Sequence, residues 1–228
     1  MSFKRYGIYY TPPPGPFADA GATWLGWDPA RGDHPVPPPV TDLPLPWDEI
    51  TATPRKYGFH ATIKPPFRLA DGRGPDALET AFANLCAARA PVSLTGLTLA
   101  PLGRFLALVP EAESTELCAL AASCVRDLDP FRAPASDAEL ARRRAAGLTP
   151  LQDRLLQSWG YPYVMEAYRF HMTLTGKLPK SALAAVTKVL ESTVMQYVPR
   201  PVLIDALSLM GEDEAGRFHL IHRTALSG

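Results

Sequence analysis

Cysteine is scarce. Three occur in 228 residues, Cys86, Cys118 and Cys124, none of them in a C-x-x-C pair. An odd count argues against a disulfide framework, and no pair has redox-motif spacing. Uninterrupted apolar runs of membrane-spanning length are missing, and Met1-Ser2-Phe3-Lys4-Arg5-Tyr6 lacks the apolar stretch of a signal peptide. The expectation is a cytoplasmic protein without membrane contact, and no obligate protein partner is readable. Net charge is absent too, since 23 Lys and Arg balance 23 Asp and Glu. No global field draws the chain to nucleic acid or an anionic surface, so any anion site is local. H-E-x-x-H, G-x-S-x-G, Walker A and clustered carboxylates are all missing. That weakens metalloenzyme, serine-hydrolase and P-loop readings. The expected site holds no metal and no cofactor.

Proline, by contrast, is plentiful, and nearly half of its 25 copies fall between Pro12 and Pro54. The segment 11–55 therefore predicts an irregular wrapping loop of PPII character, interrupted by a short element around Trp24-Leu25-Gly26-Trp27 and pinned to the body by its tryptophans. With 46% hydrophobic and 20% charged residues, the chain has the composition of one globular unit. Short aromatic and β-branched runs predict strands over 3–10, 92–99, 105–109, 164–175, 202–210 and 217–224. Helical periodicity marks Leu78, Phe82, Leu85 and Cys86 as one face. It does the same for Leu117, Leu120, Ala121, Cys124, Val125 and Leu128, and for Leu183, Val186, Val189, Leu190 and Val194. Cys86 and Cys124 thus read as buried core thiols. A helical insertion over 129–160 breaks near Gly147 and Pro150, and its Arg142-Arg143-Arg144 run reads as a solvated face.

The strongest signal is a repeat. Tyr57-Gly58-Phe59-His60-Ala61-Thr62-Ile63 matches Tyr168-Arg169-Phe170-His171-Met172-Thr173-Leu174 at an offset of 171 − 60 = 111. Pro91-Val92, Leu97 and Leu99 match Pro201-Val202, Leu207 and Leu209 at 201 − 91 = 110. Two motifs holding nearly one register predict pseudo-repeats over about 55–110 and 166–225. The expected class is α+β: one bilobed domain over 1–228, with two pseudo-symmetric antiparallel sheets and outer helices around a central cleft.

Alternation puts His60 and Thr62 on one face of their strand, and His171 and Thr173 on one face of theirs, with apolar residues behind. Two imidazoles in one cleft suit acid–base chemistry near neutral pH, and each threonine can donate to a phosphate oxygen. The same alternation places Lys56, Gly58 and Lys64 beside His60, with Gly58 leaving room for a ligand. Arg169 falls beside His171, where its planar fork suits phosphate. On the first strand Arg5, Gly7 and Tyr9 share a face that borders the cleft. His219 and His222 read as structural, and His34 as solvent-exposed.

These residues resemble the 2H phosphoesterase superfamily, whose two His-x-Thr/Ser-x motifs correspond to His60-Ala61-Thr62-Ile63 and His171-Met172-Thr173-Leu174. Arg5 to Tyr10 and Lys56 to Phe67 further resemble a branch often encoded beside phosphonate-degradation genes. The resemblance implies a metal-independent cyclic phosphodiesterase, with catalytic roles for His60 and His171 and substrate contacts for Thr62 and Thr173. The expected substrate is a small cyclic phosphate or an RNA terminus. A terminus-binding or 2′-5′ ligation module, and a hydrolase of a small cyclic sugar phosphate in phosphonate metabolism, stay open as alternatives.

Overall fold

The structure, a computed structural model, describes residues 3–228, so Met1 and Ser2 lie outside the described residues. In chain order the elements are β1 (Arg5–Tyr10), α1 (Pro16–Leu25), α2 (Trp47–Arg55), β2 (Ala61–Phe67) and α3 (Pro75–Ala87). Then come β3 (Val92–Leu94), β4 (Leu97–Leu102), β5 (Phe105–Pro110), α4 (Thr115–Asp127), α5 (Asp137–Arg144) and α6 (Pro150–Trp159). The last are β6 (Met172–Thr173), α7 (Lys180–Thr193), β7 (Val202–Ile204), β8 (Ala206–Glu212) and β9 (Phe218–Ala225). The class is α+β with two antiparallel sheets, as the sequence predicts. One sheet has seven strands in the order β4-β5-β6-β2-β1-β8-β9, and the other pairs β3 with β7.

Two pairings join counterpart strands of the two halves. Ala61 faces Met172 across β2 and β6, and Ser93 faces Leu203 across β3 and β7. These partners differ by 172 − 61 = 111 and 203 − 93 = 110, the offsets of the sequence repeat. Each residue thus meets its own counterpart, which is the register a two-fold axis imposes. The halves also interleave. Strand β6 lies beside the first half's β5, and β2 reaches the second half's β8–β9 hairpin through β1. Helix α3 packs on β8 and β9, and α7 on β4 and β5.

The core behind these strands is apolar and continuous. Ile8, Ala61, Ile63, Leu108, Met172 and Leu174 have no exposure, and α3, α4 and α7 cover them with Phe82, Cys86, Cys124, Val186 and Leu190. The two cysteines on apolar stripes are buried, while Cys118 is exposed.

Three expectations about local structure are corrected. The proline-rich segment 11–55 holds two helices. In α1 the proline stands at the first helical position, where its missing N–H costs nothing, and in α2 Pro54 falls in the last turn. The remainder, 11–15 and 26–46, lacks helix and strand apart from one isolated bridge between Asp28 and Asp33. The strand expected over 164–175 shrinks to Met172–Thr173, because Met165–Ala167 forms a 3-10 turn instead. The strand expected over 92–99 divides into β3 and β4 and its counterpart over 202–210 into β7 and β8, each pair joining different sheets.

No helix of the described residues is long and apolar enough to cross a membrane. Phe59 and Phe170 sit behind the two histidines, 4% and 5% exposed and within the core. Replacing either with alanine should lower the unfolding free energy by about 3–5 kcal/mol, measured as urea midpoints at unchanged denaturant slope. Losses below about 1 kcal/mol would contradict the packing described.

Candidate active site

The site grows from the single cross-strand pair Ala61–Met172. One residue further in each direction, His60 stands across from Thr173 and Thr62 across from His171. Because Ala61 and Met172 point into the core, these four side chains share the opposite face. Facing residues in an antiparallel pair lie about 4.5–5.5 Å apart at Cβ, and diagonal ones about 7–8 Å, so the two imidazoles flank a space the size of one phosphoryl group.

Beyond Thr62 the strand loses its partner, since β6 begins only at Met172. Pro65 and Pro66, which have no N–H to offer, occupy that unpaired stretch at an irregularity in the β1 register. The gap opens two adjoining cavities that share Thr62, Pro65 and Tyr161. One, of about 280 Å³, is lined by His60, Thr173, Tyr9, Tyr57, Arg5 and Arg143. The other, of about 770 Å³, is lined by His171, Arg169, Phe105, Tyr163 and the first turn of α6.

The two imidazoles live in different surroundings. His60 is 9% exposed, lies 4.1 Å from the Tyr9 ring in a stacked arrangement, and has Tyr57 stacked at 5.7 Å. Its Nδ1–H donates to the Gly58 carbonyl at 2.9 Å, which leaves the Nε2 lone pair towards the Thr62 hydroxyl at 3.3 Å. Burial draws its pKa from 6.5 down to about 4. The Gly58 carbonyl opposes that shift and the nearby His171 adds to it. His171 is half-buried and donates Nδ1–H to the Arg169 carbonyl at 2.8 Å, the same two-residue reach as in the first copy. Both rings are thereby held in one orientation with Nδ1 as the donor.

Arg5 and Tyr9 border the smaller cavity, on the side that Gly7 suggested. The Arg5 guanidinium is held by both Glu212 oxygens, with Nη2 donating to Oε1 at 2.7 Å. The Tyr9 hydroxyl is buried without a hydrogen-bond partner among the described residues, and burial raises its pKa well above 10. A buried hydroxyl with no partner is costly and rare.

Lys64 is elsewhere. Ile8 faces Lys64 and Tyr9 faces Thr62, so Ile63 is an extra residue, and this bulge turns Lys64 away from the His60 face. Its ammonium, 2% exposed, donates to the Val125 carbonyl at 2.8 Å and lies 3.5 Å from Asp129, with burial drawing its pKa to about 8. It ties β2 to α4 instead of meeting a ligand. Lys56 caps α2 as an exposed side chain and lines neither cavity. Gly58 offers no ligand space either: it is left-handed at φ 73°, and a Cβ there would meet Pro29 at 2.2 Å. That turn also breaks the alternation, which is why Tyr57 stacks on His60 when a straight strand would put it behind.

Sequence reasoning missed Tyr57, Tyr161, Tyr163, Phe105 and Arg143. The arginine run is only partly a solvated face. Arg142 and Arg144 are exposed, but Arg143 is half-buried at the cavity. His219 and His222 are structural, facing Asp213 at 2.8 Å and Glu79 at 3.2 Å, and His34 is exposed.

The sequence profile of the family described as "Protein of unknown function (DUF1045)" matches residues 62–219, which includes His171 and begins two residues after His60. A relative named ribose 1,5-bisphosphate phosphokinase PhnN, from Janthinobacterium sp. (strain Marseille), is 39% identical over 94% of this chain and 49% of its own length. One of the same name from Laribacter hongkongensis (strain HLHK9) is 36% identical over 93% and 49%. The chain spans about half the length of the curated relatives it matches. Among solved structures, E. coli LigT in apo form is similar at 14% identity and TM-score 0.47, with all of both chains covered. TT0787 of Thermus thermophilus is similar at 14% and 0.44, with 98% of each covered.

The buried neutral state of His60 has a consequence for stability. Between about pH 6.5 and 4 the unfolded chain takes up a proton there and the folded chain does not, so stability falls as pH drops through that window. The shift corresponds to about 3 kcal/mol. Comparing urea unfolding of the wild type and His60→Gln from pH 7 to 4, the variant should lack this part of the acid loss. Parallel curves would show that His60 is not held neutral by burial.

Proposed function

The chain belongs to the DUF1045 family, and we propose that it is a phosphoesterase that hydrolyses a cyclic phosphodiester by two-histidine acid–base catalysis without a metal ion. The observation that carries this reading is the Ala61–Met172 register, which aims His60, Thr62, His171 and Thr173 at one space. The donor set is imidazole and hydroxyl, which suits proton transfer and oxyanion stabilisation; a two-metal phosphoesterase would need bridging carboxylates.

We assign the roles from the surroundings of the two rings. His60, desolvated and neutral with its Nε2 lone pair turned to the Thr62 hydroxyl at the cavity wall, is the base. His171, less buried and beside the larger cavity, is the acid. Water attacks phosphorus in line with the leaving oxygen, and His60 Nε2 takes the water proton as the new P–O bond forms. The ring P–O bond breaks, and its oxygen takes a proton from His171 Nε2. The product is a phosphomonoester bearing a free hydroxyl, and solvent returns each imidazole to its starting state. The Thr62 and Thr173 hydroxyls donate to the non-bridging oxygens as charge builds there, and the unpartnered Tyr9 hydroxyl is free to donate to the bound ester. Arg5 is spent on Glu212, so it orders the cavity wall more than it attracts anions.

The larger cavity falls within the range of small-molecule sites and the smaller just below it. The relatives' name refers to a small ribose phosphate, which favours a cyclic sugar phosphate over an RNA terminus as substrate. The chain carries no Walker A run, so we assign the phosphokinase activity of those relatives to the half of their length outside the match. Terminus binding or 2′-5′ ligation at the same four residues is the second reading, and it differs by leaving cyclic phosphates unhydrolysed.

Turnover of a panel of cyclic nucleotides and ribose cyclic phosphates tests the proposal. With the best substrate, His60→Ala and His171→Ala should each lose about 10²–10⁴-fold in kcat, and the double variant should lose little more, because the pair transfers protons as a unit. EDTA should leave the rate intact. The acid limb of kcat/KM should lie near pH 4, where His60 gains its proton. Near-normal turnover by either folded single variant, or loss on chelation restored by a divalent ion, would refute the mechanism.

A further inference from the structure

We propose that the smaller cavity holds a second anionic group of the substrate, a phosphate monoester or carboxylate, on the guanidinium of Arg143. This rests on the phosphoesterase reading and extends it to a doubly charged substrate class.

Arg143 lies near the end of α5, a helix without a single buried residue, yet it is the one member of its arginine run that is half-buried. Its guanidinium stacks 4.6 Å from the Tyr161 ring centroid, and both residues line the cavity of His60 and Thr173. Its neighbour Arg144 is bound to Asp153 at 2.6 Å. Arg5, the other guanidinium of this cavity, is neutralised by Glu212. Arg143 has no carboxylate partner or side-chain hydrogen bond among the described residues, and no carboxylate lines the cavity. A stacked guanidinium uses its face on the ring and keeps its N–H edge free, which is the arrangement for gripping a planar or tetrahedral anion. The reacting phosphorus already has four groups on the opposed strands. An additional fixed cation, brought in by a separate insertion, therefore fits a second charge on the same molecule.

A cation in this position creates a measurable preference. Calorimetric titration of adenosine 3′,5′-bisphosphate and adenosine 3′-monophosphate should show the bisphosphate binding at least 10-fold tighter to the wild type. Arg143→Met should abolish that ratio, and Arg143→Lys should restore part of it. In turnover, adenosine 2′,3′-cyclic phosphate with a 5′-phosphate should have a lower KM than the same compound without it, again only while Arg143 is present. A wild type that binds both nucleotides equally overturns the proposal. So does an Arg143→Met variant that weakens both by the same factor, since that places Arg143 at the reacting phosphate. Should the bisphosphate preference hold while neither cyclic compound is hydrolysed, the second-anion site stands and the phosphoesterase reading falls. Hydrolysis without the preference leaves the opposite result.

Discussion

The pairing of Ala61 with Met172 is the constraint from which the rest of the site follows. Both residues are sealed in the core, so the strands cannot slip by one position without throwing His60 and His171 into the interior and two apolar side chains into the cleft. The bridge is short. Strand β6 is two residues long, and β2 continues past it through two prolines that neither offer nor need a ladder partner on that side. A longer β6 would close the sheet and leave no space for a ligand. The same brevity that opens the cavities therefore leaves one well-packed pair to hold the geometry.

Within that frame, burial distinguishes two otherwise matching imidazoles. Each donates Nδ1–H to a carbonyl two residues earlier, so tautomer and ring orientation are alike. Tyr9 and Tyr57 close over His60 and draw its pKa to about 4, while His171 stays half-buried beside the larger cavity. Burial therefore disfavours a proton on His60. The asymmetry comes from strand β1, which has no counterpart in the repeat and brings Tyr9, and from the left-handed turn at Gly58, which brings Tyr57.

How much of this could be read from the letters depends on how local the cause is. The four residues of the face were legible because strand alternation and the duplicated Tyr-x-Phe-His-x-Thr spelling need nothing beyond the neighbouring residues. Lys64 was not, since one bulged residue at Ile63 reverses the alternation and sends its ammonium to Val125. Tyr57 escaped for a related reason, the left-handed turn at Gly58. The helices α1 and α2 were hidden by proline content, although proline position, at the first turn and the last, is what decides. Arg143 was out of reach altogether, because a helix with no buried residue carries no pattern that says which surface it will cover.

The central claim is that one phosphoryl group binds between His60 and His171. Long-range ¹H–¹⁵N spectra of the imidazoles, recorded while inorganic phosphate is titrated into the wild type, test it most directly. The Nε2 signals of both histidines should move together along one binding curve, with both Nδ1 atoms remaining protonated. Movement of one ring alone, or two curves with different midpoints, would contradict it.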